Sequence, residues 1–597
     1  MSYSLSESFV FPLDDPYIHL QFARNLVDHG AWSFFGDEMV VSGSSSPLFT
    51  FLEAVGLALG GEGTSVALLI GIASHLCLSL LVFQVGIRLG AARKLAWVAA
   101  LATCLMPRLL WASVSGMETS LFMAITMAAF LAWQDGRWKA TGGLLGLAVW
   151  ARPEGCLFAF ILLAAQAMGD IANAGPADST AGLGCRSKWY RLLLPLVVLA
   201  CLYMAFNLLL GGHVMPGTVG AKAAYYQDGE SRYWGDVVAF LAGFPLVFAG
   251  PFVAWGTVVI GWNLVRRRFD ATAPALAFVL AMIAGFSTRL PYLFQHGRYL
   301  MPILPFLLLV GLRGAIDVWE RVAARFPSAS AGRVGGLVSN LLLAGFVLVF
   351  VPGVPSMLQG YQNDTDIIAN RQVATALWLR QNVPADSLIA THDIGAIGLY
   401  SGLKVLDLAG LVSPQMVGWL RREPQLAGEL RRQGVSHVAV LPEWLEAVNS
   451  EPMFVSPGNY MTDGPMLVFK MDQRLEFTGV DARDLSRRAN DARTAGRLEY
   501  AVRLLGRAAE IEPNNSRVLH DLARALAGSG RPDLALLELD RAISVFPGYW
   551  QAWMTRAQVL HGLGRLDQAR TAVDQVLSLK PDDPTALQVR QLMNRSE

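Results

Sequence analysis

The stretch LLLPLVVLACLYMAFNLLL, residues 192–210, contains no charged side chain. As a helix, an apolar run of roughly 20 residues crosses a bilayer core about 30 Å thick. Similar runs occur near 64–89, 95–112, 117–134, 140–153, 154–169, 237–263, 272–289, 299–318 and 335–356. With 190–210 they predict a polytopic α-helical membrane protein with about 10 membrane helices. Pro153 and Glu154 interrupt the pair around 140–169. Residues 47–60 form a shorter apolar piece, suited to an interfacial or re-entrant helix.

Composition agrees. The chain is 53% hydrophobic and only 16% charged, against roughly 25% charged residues in soluble domains. A net charge of +1 gives no electrostatic case for nucleic acid. The five cysteines, Cys77, Cys104, Cys156, Cys185 and Cys201, lie in or between apolar segments with no C-x-x-C pair. They read as small apolar fillers, with neither a disulfide framework nor a zinc site indicated.

Cationic residues fix the expected sidedness. Arg88, Arg93 and Lys94 follow the first span, and Arg137 and Lys139 follow the third. Arg186, Lys188 and Arg191 follow the fifth, Arg266 to Arg268 the seventh, and Arg313, Arg321, Arg325 and Arg333 the ninth. These are alternate loops, and the alternation marks them as cytoplasmic. Residues 1–63, 112–118, 152–154, 211–235, 289–298 and the tail after 357 are then outside. Since 1–63 is placed outside with no span before it, either a further membrane helix lies upstream of Met1, the expectation we favour, or the loop translocates unaided.

The tail divides in two. In 358–475, Ser387–Thr391, Lys404–Leu408 and Val435–Leu441 read as short buried strands, and 364–381 and 424–433 as helices. This predicts a small α/β domain. In 482–597 three series recur every 34 residues: Gly496, Gly530 and Gly564; Ala501, Ala535 and Ala569; Pro513, Pro547 and Pro581. That period is the signature of tetratricopeptide helix pairs, which stack into a solenoid and offer a docking surface. The expected organisation is an outer loop over 1–63, a membrane domain over 64–357, an α/β domain over 358–475 and the repeats over 482–597.

Chemistry-capable residues cluster on the outer side. Asp14-Asp15-Pro16-Tyr17-Ile18 leads into an amphipathic helix through Phe22, Leu26 and Val27, and Gly43 to Pro47 follow in the same loop. Adjacent carboxylates at a helix start serve as an N-cap and a dipole contact, or as a general base or ion ligand. Ser115-Gly116-Met117-Glu118-Thr119 places a carboxylate beside hydrocarbon, where an unpaired charge is costly. Ala151-Arg152-Pro153-Glu154-Gly155 sets an Arg and a Glu within apolar sequence, so each is expected to be paired, with Glu118 one candidate partner. Lys222, in Met215 to Lys222, and Arg298, in Phe294 to Pro302, suit either a phosphate or anchorage at lipid headgroups. His296 alone is a weak signal.

With these residues the sequence resembles bacterial integral-membrane glycosyltransferases of the GT-C class, related to the protein O-mannosyltransferases and arabinofuranosyltransferases. The matching elements are Asp14 to Tyr17 with Ala23 to Leu26, Gly43 to Pro47, Gly116 to Glu118, Arg152 to Gly155, and Arg298-Tyr299 with Pro302. Asp393 to Gly398 and Asp407 to Gly410 resemble the soluble domain that accompanies such proteins. The resemblance covers roughly 10–475. It implies a GT-C-like membrane domain, a polyprenyl-phosphate-linked sugar donor, and transfer to an acceptor hydroxyl on a glycan, lipid or protein at the outer face of a bacterial cytoplasmic membrane.

On that reading Asp14 takes the acceptor proton, Asp15 orients the acceptor or the base, and the anomeric centre inverts. Arg298, Lys222 and His296 serve the donor phosphate, while Glu118, Arg152, Glu154 and Tyr17 support. No cofactor is required, and a divalent ion near Asp14, Asp15 and Glu118 is compatible but not demanded. The repeats imply a protein partner. A polytopic transporter would instead place its charges at mid-membrane and show related halves. A non-catalytic assembly scaffold would leave the function to the repeats.

Overall fold

The computed structural model describes residues 9–595 apart from 36–37, 40–42, 174–180, 212–213, 215–232, 244–245, 290–292, 294, 326–344, 346–352, 420–421 and 459–463. The chain forms two compact units, residues 1–369 and 370–597.

The first unit is helical. Helix α1 (Asp15–His29) starts with Pro16 in its first turn, where the missing amide costs nothing. It stops at Gly30, whose φ of 65° is a left-handed cap that glycine adopts without strain. It buries Tyr17, Ile18, Leu20 and Phe22 and packs on α2 (Pro47–Ala58). Strands β1 (Ser33–Phe35) and β2 (Glu38–Met39) pair antiparallel beside it.

Among the described residues three helices are long and apolar enough to cross a membrane: Gly63–Arg88 (α3), Ser187–Leu210 and Gln295–Ala323. The expected span 95–112 is two helices, α4 (Arg93–Leu105) and α5 (Pro107–Val114), bent by 53°. Pro107 lacks the amide that would continue the ladder, and its ring clashes with the preceding turn. If that pair counts as one span, the total is four, against about 10 expected.

The difference is one of length. Helix α6 (Thr119–Gln134) has 16 residues and α7 (Trp138–Ala151) has 14, so even α6 reaches only about 24 Å. Gly155–Ile171, Ala249–Val265 and Ala273–Thr288 are likewise shorter apolar helices. The expected span 335–356 lies outside the described residues, save Gly345 and 353–356.

Helices Leu246–Val265 and Leu304–Ala323 pack backbone to backbone. A Cβ on Gly256 would stand 2.0 Å from the Val310 carbonyl oxygen, and one on Gly314 2.2 Å from that of Phe252. Small residues permit such an approach between membrane helices. Phe130, Phe158, Phe278 and Phe306 fill the core with tilted and edge-to-face ring contacts.

In the second unit five strands form a mixed sheet in the order β4-β3-β5-β8-β7. They are β3 (Leu388–Thr391), β4 (Lys404–Asp407), β5 (Val435–Val440), β7 (Phe454–Val455) and β8 (Leu467–Lys470); β6 (Ala447–Val448) pairs with β9 (Glu476–Phe477) elsewhere. Strand β3 is parallel to both β4 and β5, and β8 is antiparallel to β5 and β7. The three expected strands coincide with β3, β4 and β5 to within a residue. The expected helix 364–381 is interrupted by a π-helical turn at Ala369–Val373, and 424–433 is the helix Glu423–Arg432.

The repeats follow as antiparallel helices from Val480–Thr494 to Pro584–Arg595. Gly496, Gly530 and Gly564 have φ of 73°, 80° and 74°, which explains why the inter-helix turn demands glycine. Ala501, Ala535 and Ala569 are fully buried where helices touch. Pro513, Pro547 and Pro581 each come two residues after a helix end, at Ile511, Val545 and Leu579.

Candidate functional site

The start of α1 and the turn before the helix Leu304–Ala323 meet in the first unit. Arg298 Nη2 donates to Asp15 Oδ2 at 2.5 Å and to the Tyr299 hydroxyl at 3.1 Å. The guanidinium belongs to a residue only 5% exposed, and Asp15 retains 31% side-chain exposure. Arg298 Nη1 is buried without a hydrogen-bond partner among the described residues. A buried donor left unmade costs about 1–3 kcal/mol, more for a charged group, so this nitrogen is poised for an incoming acceptor. The Tyr299 ring has Arg298 at 5.0 Å and Arg152 at 5.9 Å from its centroid, so both guanidiniums pack on one aromatic ring.

Arg298 is delivered by strained backbone. Gln295, His296 and Gly297 have φ of 53°, 60° and 79°. Non-glycine residues held there cost of order 1–3 kcal/mol each and persist only where neighbours hold them. The holding group is Asp364, whose Oδ2 lies 2.8 Å from His296 Nε2 and accepts from Trp111 Nε1 at 3.0 Å. The imidazole also packs on the Trp111 ring at 4.9 Å. His296 therefore pairs with a carboxylate through Nε2, while its side chain stays 41% exposed.

The second cluster joins Glu118, Arg152 and Glu154. Arg152 Nη1 donates to Glu118 at 3.1 Å, and Nη2 and Nε grip Glu154 at 2.8 and 3.3 Å. Glu118 and Arg152 are 4% and 5% exposed, so the candidate partner is the actual one and the pair is buried. Gly116 makes the turn that presents Glu118. Its φ is 75°, and a Cβ there would meet the Phe11 ring at 2.6 Å.

Asp14 and Tyr17 occupy different situations. The Asp14 side chain makes no cap hydrogen bond to α1, so the N-cap role is not what its carboxylate does. Tyr17 is fully buried and its hydroxyl accepts the Phe11 amide at 2.9 Å; it braces the acidic turn. Lys222 lies outside the described residues. Among the described residues no group of three or more His, Cys, Asp or Glu side chains is arranged to hold a metal ion.

His19, Glu53 and Asp364 join the site although sequence reasoning missed them. His19 Nε2 is 3.8 Å from Glu118 Oε2, and its Nδ1 meets Ser44 Oγ at 3.2 Å and Thr50 Oγ1 at 3.0 Å. His19 is one helical turn after Asp15, a spacing that shares a face and was the available signal. Glu53 is fully buried, and neither carboxyl oxygen has a hydrogen-bond partner among the described residues. Asp364 had no sequence signal.

The second unit has its own cleft of about 970 Å³, between residues 446–452 and the repeat helices. Arg483, Arg487, Arg493, Arg517, Arg524 and Lys580 line it. Glu446 spans it to Arg517 at 2.6 Å and Arg483 at 3.9 Å. His520 sits in its wall, bonded to Thr555 at 2.8 Å and to Tyr549 at 3.2 Å. Burial, reinforced by Arg524 and Arg517, pushes its pKa down to about 4.

Comparison with known proteins gives three family matches. Residues 363–478 match a model described as Domain of unknown function (DUF8728). Residues 492–543 and 520–584 match two tetratricopeptide repeat models. No curated protein sequence matches the chain. Among solved structures, ArnT from Cupriavidus metallidurans in the apo state is similar at 14% identity, with 78% of this chain and 94% of that chain covered and a TM-score of 0.45. The same protein bound to undecaprenyl phosphate gives 14% identity, 77% and 94% coverage and a TM-score of 0.46. The Sgt2 TPR domain from Aspergillus fumigatus gives 20% identity over 20% of this chain and 79% of that one, with a TM-score of 0.19. The C-terminal helices of this protein are tetratricopeptide repeats.

Proposed function

We propose that the chain is a membrane glycosyltransferase that moves a sugar from a polyprenyl-phosphate-linked donor to an acceptor hydroxyl, with inversion, on the extracytoplasmic face of a bacterial cytoplasmic membrane. One observation carries this reading: Asp15 and Arg298 form an ion pair in a site where a second Arg298 nitrogen lacks an acceptor among the described residues. A carboxylate pair beside a buried guanidinium suits a reaction whose nucleophile loses a proton while its leaving group gains negative charge.

In the proposed step the acceptor O–H proton passes to the Asp14 carboxylate. The oxygen bonds to the anomeric carbon from the side opposite the phosphate. The carbon–oxygen bond to phosphate breaks, and its electron pair leaves with the phosphate. A free carboxylate of pKa near 3.9 is a weak base, but the hydroxyl grows acidic as its oxygen bonds to carbon. Arg298, joined by Lys222, neutralises the leaving phosphate; preorganised charge of this kind is often the largest catalytic term. Asp15 holds Arg298 in place. Glu118, Arg152 and Glu154 fix the wall around Tyr299. In this reading the cleft on the repeats takes a protein partner.

The test is transfer of radiolabelled sugar from polyprenyl-phosphate donors by the full chain in nanodiscs. Activity lost in Asp14→Asn, with the melting temperature kept, supports the assignment. Undiminished transfer by folded Asp14→Asn removes Asp14 from the base role.

A further inference from the structure

The parallel part of the second unit's sheet has a consequence for binding. The chain visits β3, then β4, then β5, but the spatial order is β4-β3-β5. The connection out of β3 leaves toward one side and β5 arrives on the other. Between the carboxyl ends of β3 and β5 the loops diverge, and open α/β sheets bind ligands at such a switch point.

His392 and Asp393 directly follow β3, and Trp444 follows β5. The imidazole stacks on the indole with ring centroids 4.5 Å apart and planes 9° from parallel. His392 is 8% exposed, and neither ring nitrogen has a hydrogen-bond partner among the described residues. Its Nε2 is 3.8 Å from Asp393 Oδ2, too far for a hydrogen bond. Gln372, 2% exposed, donates to that same oxygen at 2.7 Å, yet its own Oε1 has no partner among the described residues. Three orphaned polar atoms on two linked, buried residues cost stability, and the sheet gains nothing from them.

The groups select their ligand. Gln372 Oε1 and the Asp393 carboxylate only accept, so they repel an anion. The Arg371 guanidinium acts on the imidazole from nearby, which disfavours an ammonium group. A neutral imidazole offers one donor and one acceptor. Hydroxyl groups, which both donate and accept, satisfy all of these at once.

We infer that the carboxyl ends of β3 and β5 form a carbohydrate site, in which Gln372, His392 and Asp393 hold the hydroxyls of a neutral glycan and Trp444 covers them. Burial holds the imidazole below its ordinary pKa, with Asp393 opposing and Arg371 adding, so the ring binds in its neutral form. Trp444, stacked on the imidazole, is half-buried. Naming the polyol a glycan rests on the transferase reading; the buried unpartnered atoms do not.

The experiment is saturation-transfer NMR on the full chain in nanodiscs. The probes are methyl glucopyranoside, methyl mannopyranoside and methyl arabinofuranoside, with inorganic phosphate as the anionic control. Saturation of at least one glycoside, cut tenfold or more in His392→Phe, supports the site. The Phe variant keeps the stacked ring and deletes the orphaned nitrogens, so its melting temperature should be unchanged or higher. No saturation of any glycoside, equal saturation in His392→Phe, a lowered melting temperature in that variant, or displacement by phosphate each overturns the proposal. Glycoside binding by a chain that transfers no sugar retains the carbohydrate site and removes only the transferase. Sugar transfer without glycoside binding does the reverse.

Discussion

Arg298 and Asp15 are 283 residues apart in sequence, yet Nη2 and Oδ2 are 2.5 Å apart in space. The first turn of α1 and the strained turn at 295–297 thus meet in one place. Replacing Arg298 by Met should lower the rate of sugar transfer by about 10²–10³, the usual effect of removing one preorganised charge-stabilising donor. Arg298→Lys should recover only part, since an ammonium cannot reach two acceptors through a planar fork. Initial rates under saturating donor decide it; rates within a factor of two of the parent would place Arg298 outside the chemistry.

Arg152 holds one buried carboxylate, Glu118, and one half-buried carboxylate, Glu154. Arg152→Met should destabilise the protein by about 3–5 kcal/mol, because Glu118 and Glu154 lose their shared partner. Adding Glu118→Gln should restore part of the loss by removing one stranded charge. Thermal unfolding in detergent measures both; equal melting temperatures for Arg152→Met and the parent would show the cluster to be dispensable.

Asp364 acts through His296 on the turn that carries Arg298. Asp364→Ala should reduce kcat several-fold while leaving the overall fold intact, since the left-handed run loses its anchor. Asp364→Asn keeps an acceptor for Trp111 Nε1 and should keep most activity. If the Ala and Asn variants are equally active, the strained turn is held by other contacts.

Gly530 has a φ of 80°, and a Cβ added to it would find no described atom within 4 Å. Gly530→Ala therefore meets no clash, and its cost is conformational alone, about 1–2 kcal/mol for a left-handed alanine. Urea unfolding of the chain, followed through the repeats, should shift by that amount.

His520 sets a pH dependence in the repeats. Its folded pKa of about 4 lies below the ordinary 6.5. The unfolded chain therefore binds a proton that the folded chain refuses, and stability falls as pH drops through the window from about 6.5 to about 4. At pH 5 the loss from this one group is about 2 kcal/mol, at 1.36 kcal/mol per pH unit. His520→Gln should flatten the stability profile between pH 7 and 5; an identical slope in parent and variant would exclude His520 as its source.

The repeats are legible in full, because a 34-residue period of Gly, Ala and Pro reports geometry that each unit repeats locally. The strands β3, β4 and β5 are legible for a similar reason, as each is a short buried apolar run. The stretch 95–112 reads as one span because hydropathy sums over a window and does not register the break at Pro107. Tyr17 is legible as a supporting residue by its place in the motif, but that its hydroxyl accepts from the Phe11 amide is not. His19 carries a readable signal in its helical spacing from Asp15. Asp364 carries none, since it lies in a polar helix distant in sequence from everything it holds.

By itself the sequence determined the classes of element, apolar helices, a small α/β segment and stacked helix pairs, together with the short list of charged residues set against hydrocarbon. Those follow from local periodicity and from the cost of leaving a charge unpaired in an apolar setting. Only the tertiary structure decided which carboxylate meets which guanidinium or imidazole: Asp15 with Arg298, Glu118 and Glu154 with Arg152, Asp364 with His296. Pairing across hundreds of residues depends on how helices pack, and packing is a property of the whole set of side chains rather than of any one segment.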